Sequence, residues 1–283
     1  MQLFIYKKEV KMLFCCPKCR GKLSVMPDGR ALCEAGHSYD RAREGYYNLL
    51  LKNTGGTHGD NKEMVLARRN FLDSGAYLPL AEKLCDIAQH YVTENAKILD
   101  GGCGEGYYTD LLERRLSALG KDASVFGFDI SRDAVRFAAK KNRALSLAVA
   151  SSYDIPVADG SVDLLFNVFA PQALSESLRV LHPGGKFIMA IPDENHLFGL
   201  KSVLYEKPYK NTVEKSELFG FSLLSREKIS YTLTLNTPGE IASLFMMTPY
   251  AYRTPPKARE RLLSLERLNT EIEFIVFTYE REK

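Results

Sequence analysis

The chain holds no run of about 18 or more apolar residues, so no membrane-spanning helix is expected. Its first residues lack the apolar core of a secretory signal, and a cytoplasmic protein is the expectation. No Gly-Lys-Ser or Gly-Lys-Thr follows its glycine-rich stretch, which excludes a Walker phosphate loop. Net charge is low, +3 over 283 residues. There are only six cysteines, four of them between residues 15 and 33, and a chain this long with so few is not a secreted disulfide framework. What is present is an ordinary globular composition, 45% hydrophobic. That is enough for a substantial core in one large domain or two smaller ones.

The small net charge is unevenly placed. Residues 1–75 carry 13 Lys/Arg against 8 Asp/Glu, and the rest of the chain carries 25 against 27. A basic front suits a polyanionic partner, and it also suits a solvated loop, so charge alone leaves both open. Residues 1–11 read as an extension, with Met12 an alternative start. Cys16-x-x-Cys19, with Pro17 between, is a zinc-knuckle turn, and Cys33-x-x-x-His37 supplies a second ligand pair after a gap of thirteen residues containing a Pro27-Asp28-Gly29 turn. Two local pairs of N/S ligands are what a closed tetrahedral zinc site requires. Cys15 competes with Cys16, but only Cys16 gives the x-x spacing to Cys19. A loop this small has little core of its own, so metal binding would become folding free energy. His58 and His90 are isolated and read as ordinary surface or core histidines.

Residues 97–110 organise the rest. Ile98 and Leu99 end a buried strand, Gly102, Gly104 and Gly106 alternate through a turn, and Tyr107–Leu116 is an amphipathic helix. Glycine lets the backbone turn tightly and approach a ligand closely. A dinucleotide fingerprint fails, because Tyr107 or Thr109 falls where its last glycine must stand. The remaining pattern, Asp100-x-Gly-x-Gly-x-Gly, resembles the first motif of the class I S-adenosylmethionine (SAM) methyltransferases. The next strand, from Ala123, ends in Asp129, where an open α/β fold places the carboxylate that accepts from ribose hydroxyls; Ser131 supplies the cap of the following helix, Arg132–Asn142. A third strand, Leu145–Ala150, leads to Ser151-Ser152-Tyr153-Asp154. A fourth follows Asp159-Gly160 and runs to Asn167-Val-Phe-Ala-Pro171, a helix covers Leu174–Leu181, and Lys186–Ile191 is a fifth strand. Alternation of this kind specifies an α/β, doubly wound Rossmann-like sheet with helices on both faces. Gly55-Gly56 and Gly59-Asp60 mark a flexible linker. Met64–Leu72 and Tyr77–Tyr91 read as helices that cap the cofactor domain or bridge it to the zinc module, and Tyr231–Leu235 and Glu273–Tyr279 as closing strands.

A zinc ribbon ahead of a SAM domain, with Glu-Gly-Tyr-Tyr-Asn-Leu-Leu at 44–50, Ala-Arg-Arg-x-Phe-Leu-Asp-x-Gly-x-Tyr at 67–77, Gly-Cys-Gly-Glu-Gly-Tyr-Tyr-Thr at 102–109 and Met-Thr-Pro-Tyr-Ala at 247–251, resembles the RlmA family of 23S rRNA guanine-N1 methyltransferases over residues 12–283. That family includes the branch conferring tylosin resistance. The resemblance implies zinc ligands at Cys16, Cys19, Cys33 and His37, and cofactor contacts at Tyr77, Gly104, Glu105 and His196. Together with the motif reading, the expected cofactor site is Tyr77, Asp100, Gly102, Gly104, Glu105, Gly106, Asp129 and His196, with SAM and one structural Zn2+ as cofactors. The expected division is a zinc ribbon over 12–50, a linker and bridging helix over 51–80 and a methyltransferase domain over 81–283. The expected substrate is a 23S rRNA hairpin, with phosphates met by Lys18, Arg20, Lys22, Arg41, Arg43, Arg68 and Arg69. A homodimer is neither required nor excluded, and no residue identifies itself as the base. Two readings compete: methylation of a small molecule, and a zinc-ribbon RNA-binding protein without activity.

Overall fold

In the computed structural model the described residues are 12–51, 59–213 and 216–283. Residues 1–11, the Gly55-Gly56 pair and His58 lie outside them. In chain order the elements are β1 (Leu23–Val25), β2 (Ala31–Cys33), β3 (Ser38–Tyr39), β4 (Tyr47–Asn48), α1 (Lys62–Asp73), α2 (Leu78–Tyr91), β5 (Lys97–Gly101), α3 (Tyr107–Ala118), β6 (Ser124–Asp129) and α4 (Arg132–Lys141). There follow β7 (Ser146–Val149), β8 (Val162–Val168), α5 (Leu174–Val180), β9 (Leu181–Pro192), α6 (Phe198–Leu204), β10 (Phe221–Leu235), α7 (Pro238–Met246), a 3-10 turn (Pro249–Tyr252), α8 (Pro256–Leu263) and β11 (Leu268–Arg281).

β1, β2 and β3 form a small antiparallel sheet, and the other eight strands form one sheet in the order β10-β11-β9-β8-β5-β6-β7-β4. β4 to β9 pair in parallel, and β11 is antiparallel to both β9 and β10. The strand order reverses about β5 and β8, which places the ligand crevice of an open α/β sheet at their carboxyl ends. The closing strands are far longer than expected. β10 and β11 pair over almost their whole lengths, because β10 alternates exposed and half-buried residues that read as loop while β11 supports them.

Successive residues of the central strands enter opposite layers, as the two-residue period requires: Ile98, Val125, Leu147 and Leu164 join one core, and Leu99, Phe126, Ala148 and Leu165 the other. Helices cover the first face. On the second, the only helix among the described residues is α5, and the apolar cover beside it is the ribbon itself, through Leu13, Phe14, Leu23 and Ala31. The expectation of helical layers on both faces is corrected to that extent. The ribbon is also continuous with the large sheet: Tyr47 and Asn48 of β4 pair with Ala148 and Val149 of β7, so the expected 12–50 ribbon lends its last strand to the other sheet.

α2 buries Leu80, Ala81, Leu84, Ile87 and Ala88 at helical spacing and packs on α3, while α1, capped by Asn61, packs on α7 and α4. Gly59 and Asp60, expected in a flexible linker, are instead fixed at the end of β6. The Ser131 hydroxyl donates to the Asp60 carbonyl at 2.6 Å, and a Cβ on Gly59 would stand 2.9 Å from the Ile130 side chain.

Candidate cofactor crevice and metal site

The glycine turn after β5 enters α3 with Gly102, Gly104 and Gly106 all in the left-handed region, at φ 81°, 55° and 82°. Their surroundings differ. A Cβ on Gly102 would lie 2.3 Å from the Cβ of Ala170, and one on Gly106 2.9 Å from that of Ala138, whereas one on Gly104 would meet nothing within 4 Å. Two of the glycines therefore permit packing, and the middle one leaves a cradle open at the switch point.

Asp129 closes this loop. Its Oδ2 accepts from the Gly104 amide at 3.0 Å and its Oδ1 from the Ser131 amide at 2.7 Å; each oxygen retains a further lone pair. Ser131 also caps α4, accepting from the Ala134 amide, so Asp129 is not needed for that purpose. Asp100 is buried and accepts from the Thr109 hydroxyl at 2.5 Å. Burial pushes its pKa up to about 7, against the Thr109 hydrogen bond and with the Asp129 charge adding to the rise. The Glu105 carboxylate is buried and taken by Lys141 at 3.2 Å.

Tyr77 and His196, 119 residues apart, meet in the core, Oη to Nε2 at 3.2 Å. The Glu273 amide donates to His196 Nδ1 at 3.3 Å. Nδ1 is then the unprotonated nitrogen, Nε2 carries the hydrogen and donates it to Tyr77, and the Tyr77 hydroxyl keeps its own proton for another acceptor. Burial holds His196 neutral, its pKa down at about 3. Around the pair lie Phe274, 4.9 Å from the Tyr77 ring and 4.7 Å from His196, and Phe169, 5.1 Å from Phe274.

Two residues at this crevice escaped the sequence reading. Phe169, just beyond β8, has a left-handed backbone at φ 57° and is 40% exposed despite its size. A non-glycine residue held there costs about 1–3 kcal/mol and marks sites rather than scaffolding. Its only sequence signal was its place after a strand on the ligand side. Tyr108 packs edge-on to Phe169 at 6.4 Å, and its hydroxyl is buried with no hydrogen-bond partner among the described residues. A buried hydroxyl without a partner is costly. Together with the open face of Gly104, it fits a polar ligand lying along the glycine turn.

The second site is the ribbon's. One ligand atom each from Cys16, Cys19, Cys33 and His37 lies within 4.8 Å of the others, with Cys19 and Cys33 sulfurs 3.6 Å apart and His37 Nδ1 3.5 Å from the sulfurs of Cys16 and Cys33. Those separations suit the edges of a tetrahedron with metal–ligand bonds of about 2.0–2.3 Å. Against its burial, the Tyr39 hydroxyl and the Cys19 and Lys18 amides bring the Cys16 thiol down to about 6. Cys15 stands outside the cluster. It is buried, its amide donates to the Pro156 carbonyl at 2.7 Å, and burial raises its thiol.

Of the cations expected to meet phosphates, three are occupied: Arg20 by Asp154, Arg68 by Asp60 and Arg69 by Asp73. Among the described residues, Lys18, Lys22, Arg41 and Arg43 form no ion pair and are exposed. His90 is an exposed residue in the last turn of α2. No helix among the described residues is long and apolar enough to cross a membrane.

Comparison with known proteins matches both parts of the chain. Residues 92–237 match a family model described as a methyltransferase domain, and residues 14–52 one described as the RlmA N-terminal zinc ribbon. A 23S rRNA (guanine(748)-N(1))-methyltransferase of Streptomyces fradiae is 38% identical over 201 residues, 70% of each chain. A Bacillus subtilis protein named for the same guanine-N(1) activity is 31% identical, over 89% of this chain and 90% of that one. Among solved structures, the MccD protein aligns with 72% of this chain and 99% of its own at 20% identity and a TM-score of 0.48. A SAM-dependent methyltransferase domain and a zinc ribbon are thus joined in one chain, which belongs to the family of 23S rRNA guanine-N1 methyltransferases with an RlmA-type N-terminal zinc ribbon.

Proposed function

We propose that the chain methylates N1 of a guanine in a hairpin of 23S rRNA, in the cytoplasm, using SAM. The observation that carries this reading is the ribbon seated on the methyltransferase sheet: a zinc module with exposed cations that have no ion pair among the described residues forms one wall of a domain whose cofactor crevice opens at the β5/β8 switch point. In the proposed division, 12–50 recognises RNA, 51–80 bridges and 81–283 carries the chemistry.

Cys16, Cys19, Cys33 and His37 would hold the zinc, which is structural: four protein ligands leave no open position for catalysis. For the cofactor, Gly102, Gly104, Glu105 and Gly106 supply backbone, Asp129 accepts hydroxyl hydrogen bonds, Tyr77 donates its remaining proton and Asp100 holds the first turn of α3 through Thr109. When bound, SAM supplies a sulfonium methyl already activated for in-line displacement. The protein's part is alignment. Phe169 and Tyr108 offer an aromatic wall on which a splayed guanine stacks, and that wall also keeps water from the crevice. Methylation at N1 would require that the N1 proton leave to a base or to solvent. His196 is not that base. It accepts a backbone hydrogen bond on Nδ1 and already carries a proton on Nε2, and it orients Tyr77 instead.

The test is primer extension on an unmodified 23S rRNA transcript incubated with protein and SAM. The expected result is a new stop at one guanine, because N1-methylation removes a pairing donor. A transcript left unchanged while SAM binds would assign the protein another acceptor, and the absence of SAM binding would end the enzymatic reading.

A further inference from the structure

Where the ribbon meets α4, on the far side from the glycine turn, a cleft of about 340 Å³ is lined by the β1–β2 turn, residues 41–45 and Ala139, Arg143 and Leu145. Its position follows from α4. Arg136 and Ala139 of α4 face the ribbon, through Glu44 and the cleft, whereas Ala138 and Lys141 face Gly106 and Glu105 of the glycine turn.

Two carboxylates and three arginines line this cleft. The carboxylates are already matched, Asp28 with Arg30 at 2.7 Å and Glu44 with Arg136 at 3.0 Å. The three arginines, Arg41, Arg43 and Arg143, are exposed and, among the described residues, none has a carboxylate partner. Arg41 is held in place. Its Nε donates to the Gly45 carbonyl at 3.2 Å, and Cβ atoms on Gly29 (φ 89°) and Gly45 (φ 110°) would stand 3.9 Å and 3.4 Å from its side chain. Both turns thus lie against the Arg41 side chain, and the Nε hydrogen bond leaves its Nη groups without a carboxylate among the described residues. A planar fork fixed in this way, with two further arginines at the rim, is matched to a phosphate oxygen pair. An apolar or cationic occupant has nothing to recommend it here.

We infer that this cleft is a second RNA-binding place, a notch that takes a phosphodiester of the nucleic-acid backbone while the acceptor base lies in the crevice across α4. The inference rests on the proposed RNA substrate. It adds a place for RNA on the helical side of the ribbon, using Arg143, which lies in the methyltransferase domain and not in the basic front of the chain.

The test is the binding of a fluorescently labelled 23S rRNA transcript to the full chain at several salt concentrations, beside SAM binding and zinc content. For R43E/R143E, the expected result is at least a tenfold weaker Kd at low salt and a salt slope smaller by about one to two, since every phosphate that goes unneutralised keeps roughly one counterion on the RNA. SAM affinity, zinc content and Tm should be unchanged, because both side chains are exposed. K97E, which changes an exposed cation at the amino end of β5, should bind as the wild type does. Equal affinity and slope in R43E/R143E and wild type would overturn the notch, as would an equally weakened K97E. Methylation in the same samples separates the two readings: RNA bound through the notch but left unmethylated overturns the proposed reaction and supports the notch.

Discussion

An alanine at Gly102 would press its Cβ into Ala170, whereas one at Gly104 would meet no atom within 4 Å. Both would be strained, since a left-handed backbone costs a residue with a Cβ about 1–2 kcal/mol. G102A should therefore lose stability well beyond that figure, through the clash added to the strain. G104A should lose only about 1–2 kcal/mol and yet weaken SAM binding at least tenfold, by filling the cradle. Thermal unfolding and calorimetric titration of SAM distinguish the two, and equal SAM affinity in G104A and wild type would remove Gly104 from the site. At the same scale, His196 has a folded pKa of about 3, below the unfolded value near 6.5. The neutral ring is the one the core accepts, so its contribution to stability is complete above about pH 6.5 and is lost as pH falls toward 3. Relative to H196Q, which cannot titrate, the wild type should lose up to about 1.4 kcal/mol per pH unit across that window. Parallel Tm–pH curves for the two proteins would contradict the buried neutral ring.

At the scale of elements, α4 ties the crevice together. Its cap, Ser131, accepts from the Ala134 amide at 3.2 Å and donates to the Asp60 carbonyl, joining α4, β6 and the segment before α1. S131A should cost about 1 kcal/mol for the missing cap and more for the Asp60 carbonyl left without its donor. Because Asp129 takes the Ser131 amide, which the substitution keeps, SAM affinity should fall by less than the loss of Asp129 itself would cause in D129A. Urea unfolding with SAM titration of both variants checks this order. The cap was legible from the sequence, since Ser131 stands before a helical pattern. The hydroxyl's second partner was not, because Asp60 is 71 residues away and reaches Ser131 only through the packed Gly59.

For the whole molecule, the ribbon serves as structure. Phe14 bridges to Val157, the Cys15 amide donates to the Pro156 carbonyl and Arg20 pairs with Asp154. The knuckle is thereby fastened to the loop after β7, and Leu13, Phe14 and Leu23 cover one face of the sheet. Stripping zinc with a strong chelator should therefore lower the unfolding temperature of the entire chain and should not melt the ribbon alone. Metal binding free energy is folding free energy in such modules, and here the fold includes the sheet. The expected calorimetric trace is one transition moved down. Two transitions, with the upper one unmoved by the chelator, would show the ribbon to be energetically separate.

The sequence by itself determined whatever depends on neighbours along the chain: the strand–glycine turn–helix, the alternation that makes a parallel sheet, the two ligand pairs at knuckle spacing and the carboxylate at the end of β6. These are local because backbone conformation and short spacings set them. Only the tertiary structure decided which of three alike glycines faces open space, that Arg20, Arg68 and Arg69 are neutralised while Arg41, Arg43 and Arg143 have no carboxylate partner among the described residues, that Tyr77 and His196 share a hydrogen bond, and that the ribbon shares one layer with α5. Each of these depends on atoms far apart in sequence, where burial and the position of opposite charges settle what a side chain is free to do.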